Sequence, residues 1–120
     1  MRLYRMPQYR LERFNSVGVD LAMLPPSTAA CSTHTASIAE GGTLGRHRAV
    51  REQAFALTSG RALVQVDDDE RVDLRPGVVV IWAAGELHQT WAVTDVTAVI
   101  VETEGTFTLG EDFPPVSTAS

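Results

Sequence analysis

The chain has 120 residues, a formal charge of −5 and 44% hydrophobic residues, which is the composition of one globular domain with a core of its own. All ten basic residues are arginine, so lysine Schiff-base chemistry and a lysine-bearing P-loop phosphate site are excluded. The one cysteine, Cys31, rules out an internal disulfide and fits a reducing, cytoplasmic setting.

Charge is uneven along the chain. Residues 1–15 carry Arg2, Arg5, Arg10 and Arg13 against Glu12, net +3, which leaves −8 for the remainder. An acidic body argues against a nucleic-acid surface. A basic arm of this kind pairs with acidic surface, its own or a partner subunit's. MRLYRMPQYR has no apolar stretch after its arginines and is not expected to be a secretory signal. The longest apolar run, GVVVIWAAG, is too short to span a bilayer as a helix, so no membrane is expected as a partner.

A short helix is expected around Tyr9 to Asn15. Beyond it the pattern is strands and turns. Val17 to Leu24 alternates and stops at Pro25-Pro26, which cannot continue a ladder. Cys31 to Ala39 ends at Gly41-Gly42, and Gln53 to Thr58 ends at Ser59-Gly60. Arg61 to Val66 runs into the acidic residues 67–70, read as a solvated turn because the spacing is not that of an EF-hand loop. Arg71 to Leu74, Val78 to Trp82, His88 to Val93 and Val96 to Val101 complete the strands. Short strands separated by Gly, Pro and Asp turns predict an all-β fold, a small antiparallel barrel or sandwich. The expected division is an N-terminal arm over 1–15, a barrel over 16–104 and a loose polar tail over 105–120.

Two stretches carry a pattern of spaced glycines and histidines. GGTLGRHRAVREQAFALTSG runs from Gly41 to Gly60, and GVVVIWAAGELHQTWA from Gly77 to Ala92. Together they resemble the two motifs of the cupin family, G-x5-H-x-H-x3–4-E-x6-G and G-x5-P-x-G-x2-H-x3-N. Gly41, His47 and Gly60 fall in register with the first, and Gly77, Gly85 and His88 with the second. The resemblance covers roughly residues 30–103 and implies a jelly-roll barrel with a central pocket. The departures are specific: Ala49 stands for the second histidine, Gln53 for the glutamate, Ala83 for the proline and Ala92 for the asparagine.

Cupins of the metal-binding kind use three histidines and a glutamate, so the resemblance implies His47, Gln53 and His88 as candidate ligands for a divalent metal: iron, zinc, nickel or manganese. A neutral amide in place of a carboxylate weakens such a site, and Ala49 removes a ligand from it. The metal-free alternative keeps His47 and His88 as hydrogen-bonding groups or general acid and base. Glu86, two residues before His88, is either a further acid/base group or a rim ion pair with Arg46 or Arg48. Gln53, Phe55 and Leu57 share a strand face by the period of two, which makes Phe55 and Leu57 candidate pocket lining. Trp82 and Trp91 are candidate stacking surfaces or packing residues. His34 is read as a structural or exposed strand residue.

Two classes of function stay open. One is a small-molecule-binding module. The other, which the resemblance to cupins implies, is an enzyme, either a metal-dependent dioxygenase or a metal-free isomerase, epimerase or cyclase on a small organic substrate. No nucleotide cofactor is expected. A homodimer is expected, with the arm, which carries Leu3, Tyr4, Met6, Tyr9 and Phe14, crossing to the partner's sheet.

Overall fold

The computed structural model describes residues 1–117 as eleven strands and one turn of 3-10 helix. The strands are β1 (Arg2–Arg5), β2 (Gln8–Leu11), β3 (Val19–Ala22), β4 (Cys31–Ile38), β5 (Thr43–Arg48), β6 (Glu52–Ser59), β7 (Ala62–Val66), β8 (Val72–Leu74), β9 (Val78–Trp82), β10 (Leu87–Ala92) and β11 (Val96–Thr103). A five-stranded sheet in the order β1-β9-β6-β11-β4 faces a four-stranded sheet in the order β5-β10-β7-β8, and every pairing is antiparallel. This is the all-β fold that the strand spacing predicts, in the jelly-roll form that the motif resemblance implies.

Alternation decides which face looks inward. Along β10, His88, Thr90 and Ala92 are buried while Leu87, Gln89 and Trp91 are half-buried on the other face. Along β11, Val96, Ala98 and Ile100 point into the barrel, where they meet Phe55, Leu57, Val64, Leu74, Val80 and Trp82 in one core cluster. β6 and β9 are buried on both faces. Their outer residues Ala54, Ala56, Val79 and Ile81 form a second cluster, closed by Met6, Phe107 and Phe113.

That second cluster corrects the expectation for the C-terminal segment. Residues 105–117 are not loose: Phe107 and Phe113 are buried, the Phe107 N–H donates to Glu52, and the Val116 N–H donates to the Leu3 carbonyl. Two aromatic anchors hold a segment whose other residues are mostly polar. The same expectation for 118–120 lies outside the described residues.

The arm also differs from expectation. β1 lies antiparallel on β9 of its own chain, with Leu3 facing Val80 across the ladder, and it covers that sheet edge in cis rather than on a partner. Two of its four arginines find acidic partners within the chain, Arg2 at Glu52 and Arg10 at Asp20. The expected helix at 9–15 is instead half of a hairpin. Gln8–Leu11 pairs with Val19–Ala22, and only Arg13–Asn15 make a helical turn, broken at Phe14 by a φ of 61°. A local ladder partner outweighs a weak helical tendency. The acidic residues 67–70 do form the exposed turn expected of them.

Candidate functional site

The site is built where β9 passes into β10. β9 belongs to the five-stranded sheet and β10 to the four-stranded sheet, so the chain must cross from one layer to the other between Trp82 and Leu87. Gly85 makes the crossing at a φ of +88°, a left-handed conformation natural to glycine. The turn is pinned by paired backbone bonds, Gly85 N–H to the Ala49 carbonyl and Ala49 N–H to the Glu86 carbonyl. Crossing the layers brings Trp82 and His88 face to face across the barrel interior.

The three rings form a column. Trp82, fully buried, stacks on His88 with centroids 4.4 Å apart and planes 26° apart. His88 in turn meets His47 at 4.5 Å, tilted by 52°. His47 and His88 are direct cross-strand partners in β5 and β10, and such partners point to one face. His88 is 5% exposed, whereas His47 stands in the open at the mouth. The His47 Nδ1 lies 2.6 Å from the Gly45 carbonyl.

The opposite wall is a row across the large sheet. Gln53 faces Trp82 in β9 on one side and Glu102 in β11 on the other. The Gln53 amide donates to the Glu102 carboxylate at 3.1 Å. Glu102, half-buried beside Gln53, was missed by motif reading, but the alternation of Val96, Ala98 and Ile100 would have carried it inward.

Electrostatics mark His88. Burial, and secondarily the neighbouring His47, pushes its imidazole down from 6.5 to about 4, with Glu86 opposing. It is therefore neutral at ordinary pH. Its Nε2 and the Trp82 Nε1 are both buried and have no hydrogen-bond partner among the described residues. Buried polar side-chain atoms are seldom left unpaired, and here two lie in adjacent stacked rings.

The other expected residues fall elsewhere. Phe55 and Leu57, 1% and 0% exposed, are sealed in the core, and Leu57 borders only a cleft of about 210 Å³ shared with Gln8, Leu21 and Gly77, none of which lies at the histidines. The barrel axis is filled, so the site is a mouth and not a central chamber. Trp91 lies on the outer face of the small sheet, with the Arg71 guanidinium 3.7 Å from its ring centre, so it cannot serve this site. Glu86 pairs with neither Arg46 nor Arg48. It contacts the Met1 ammonium and accepts the Ala83 N–H, while Arg46 reaches Asp68 and Arg48 reaches the Gly85 carbonyl. His34 is exposed on β4, as expected.

The residues do not fit a divalent metal. Among those described, no three His, Cys, Asp or Glu side chains are grouped to hold one. Ala49 is buried in the core cluster, Gln53 is turned to Glu102, and His88 is held by stacking on Trp82.

Comparison with known proteins agrees with this architecture. Residues 34–104 match the family model described as a cupin domain. Among solved structures, the chain is similar to a cupin superfamily protein from Desulfitobacterium hafniense, with 19% identity, TM-score 0.58, and 67% of this chain and 72% of that one covered. A cupin-like protein from Thermotoga maritima shares 16% identity at TM-score 0.59, covering 71% of each chain. The DMSP lyase DddQ from Ruegeria pomeroyi shares 17% at TM-score 0.58, covering 68% of this chain and 43% of the lyase. No curated protein matches the sequence significantly.

Proposed function

The chain belongs to the cupin family, and from that premise we propose that it is a small-molecule-binding cupin whose site is the barrel mouth around His47, Gln53 and His88. The carrying observation is the pair of unpartnered polar atoms, Trp82 Nε1 and His88 Nε2, buried in the ring column beneath the exposed His47. The indole N–H can only donate. A ligand that satisfies it must present an acceptor oxygen or nitrogen, and the stacked rings favour a planar or apolar body beside that atom.

Binding is favoured over proton transfer for a physical reason. An imidazole held near 4 is protonated only about once in a thousand at pH 7, so it supplies no acid, and it is a weak base. His88 acts as a neutral hydrogen-bonding group. Cupins commonly bind divalent metals, but this site is read as working without one. The lyase activity named for DddQ is not carried over, because similarity at 17% identity speaks for the fold alone. The partners in this reading are a small organic ligand and a second copy of the chain in the cytoplasm, with neither nucleic acid nor membrane involved.

The two indoles provide the test. Trp82 lies buried under His88, and Trp91 lies on the opposite side of the small sheet. In a fragment screen read by the two indole N–H resonances, site ligands shift the Trp82 signal and leave that of Trp91 in place. Trp82→Phe, which keeps a ring but deletes the donor, weakens those hits by roughly tenfold. Hits that move only Trp91, or that bind Trp82→Phe unchanged, would place the site elsewhere.

A further inference from the structure

The tip of the β2–β3 hairpin stands out from the barrel with apolar side chains exposed. The hairpin is a two-stranded sheet of its own, which meets the body at its base, where Gln8, Leu21 and Ala22 lie by Leu57, Thr58 and Gly77, and leaves its tip unsupported. Its tip presents Phe14 at 81% and Val17 at 91% exposure. Phe14 and Asn15 are consecutive non-glycine residues at φ 61° and 56°. The left-handed conformation crowds a Cβ against the following carbonyl oxygen, which Asn tolerates better than Phe. Strain that turns an aromatic ring outward is an outlier in search of a contact.

At the base of the same hairpin lies a cleft of about 570 Å³, lined by Pro7, Tyr9, Met23, Leu24, Asp112 and Phe113 among others. It is mostly apolar, apart from Asp112 on its rim. Asp112 has no ion pair among the described residues, and neither has Arg13, which sits beside Phe14 at the tip with its guanidinium 5.2 Å from the ring centre. The tip therefore offers an aromatic side chain, an aliphatic one and a cation. The cleft offers apolar walls and an anion.

We propose that the hairpin tip of one copy seats in the hairpin-base cleft of a second copy, giving a symmetric dimer. Two hairpins lying side by side and antiparallel bring each tip to the other's base, so one contact made twice closes the assembly. Phe14 and Val17 enter the apolar cleft, and Arg13 meets Asp112 of the partner subunit. This is a different surface from the sheet edge that β1 already covers in cis. The inference rests on the second copy named in the proposed function and is independent of the ligand site.

The experiment is light scattering of the full chain from about 1 to 100 μM, a span that brackets typical micromolar association. A reducing agent is included because Cys31 is free and exposed. The expected mass is twice 13.0 kDa, about 26 kDa. Phe14→Asn, which suits the left-handed backbone, gives a monomer with an unchanged barrel. Arg13→Asp and Asp112→Arg each weaken the dimer by roughly tenfold. The combined Arg13→Asp and Asp112→Arg protein recovers it, which a variant that merely misfolds cannot do. A wild-type monomer at 100 μM overturns both the surface and the second copy. A dimer indifferent to all four variants overturns the surface alone.

Discussion

Acidification is the sharpest probe of His88. The side chain is 5% exposed, and burial holds its pKa at about 4 against 6.5 in the unfolded chain. Between those values the unfolded state binds a proton that the native state refuses. Stability is therefore fully present above pH 6.5 and falls as pH drops toward 4. At 1.36 kcal/mol per unit, the loss across the window approaches about 3 kcal/mol. With an unfolding entropy of about 2.1 cal/mol/K per residue, a chain of this length loses on the order of 10 °C in melting temperature. The assay is thermal unfolding of wild type and His88→Gln at half-unit steps from pH 7.5 to 4. The glutamine protein cannot titrate at this position, so its curve is the flatter one. Asp73, whose carboxyl the Arg61 and Arg75 hydrogen bonds hold below 3.8, responds mostly beneath this window and acts alike in both proteins. Parallel melting profiles for the two proteins would refute the reasoning and mean that the native state accepts a proton on His88 at little cost.

The remaining predictions concern the first motif's closing glycine and the metal. Gly60→Ala destabilises by roughly 2 kcal/mol or more, seen as a melting temperature lower by several degrees, because residue 60 sits at φ +87° and a Cβ there would lie 2.1 Å from the Asp95 carbonyl oxygen. Protein purified without a histidine tag retains well under one equivalent of iron, zinc, nickel or manganese by elemental analysis. A stoichiometric metal that only a chelator removes would show that Gln53 and Glu102 rearrange to complete a site.

Much of the fold can be read from alternation and turn residues, because a sheet with one face in the core repeats its signal every second residue. The misreadings share a cause, which is dependence on distant partners. Tyr9–Asn15 looked weakly helical until Val19–Ala22 supplied a ladder. The segment after Thr103 looked polar because only Phe107 and Phe113 carry its anchoring, and no periodicity joins two residues six apart in an irregular segment. His47 and His88 could be named from spacing, and their union in one mouth follows from the motif register. Phe55 and Leu57 share the face of Gln53 as expected, yet sit deeper along the strand where the barrel is filled. Strand parity gives a face, not a depth. Glu102 lay open to the same parity argument and was missed because it lies outside both motifs.

The departures from the motif form a consistent set once the column of rings is considered. A metal that gathers three imidazoles and a carboxylate orients each of them. Here each remaining polar group has another means of orientation: His88 stacks on Trp82, His47 is held to the Gly45 carbonyl, and Gln53 binds Glu102. Ala49, in the place of a ligand, is buried in the same core cluster as Trp82 and adds no polar atom to be satisfied. The mouth is thus ordered by packing and by pairs of side chains, and the polar demand left over is confined to two neighbouring atoms, the Trp82 Nε1 and the His88 Nε2. Demand so localised is suited to a small ligand with one well-placed acceptor, and a charged or multidentate group would find little here to meet it.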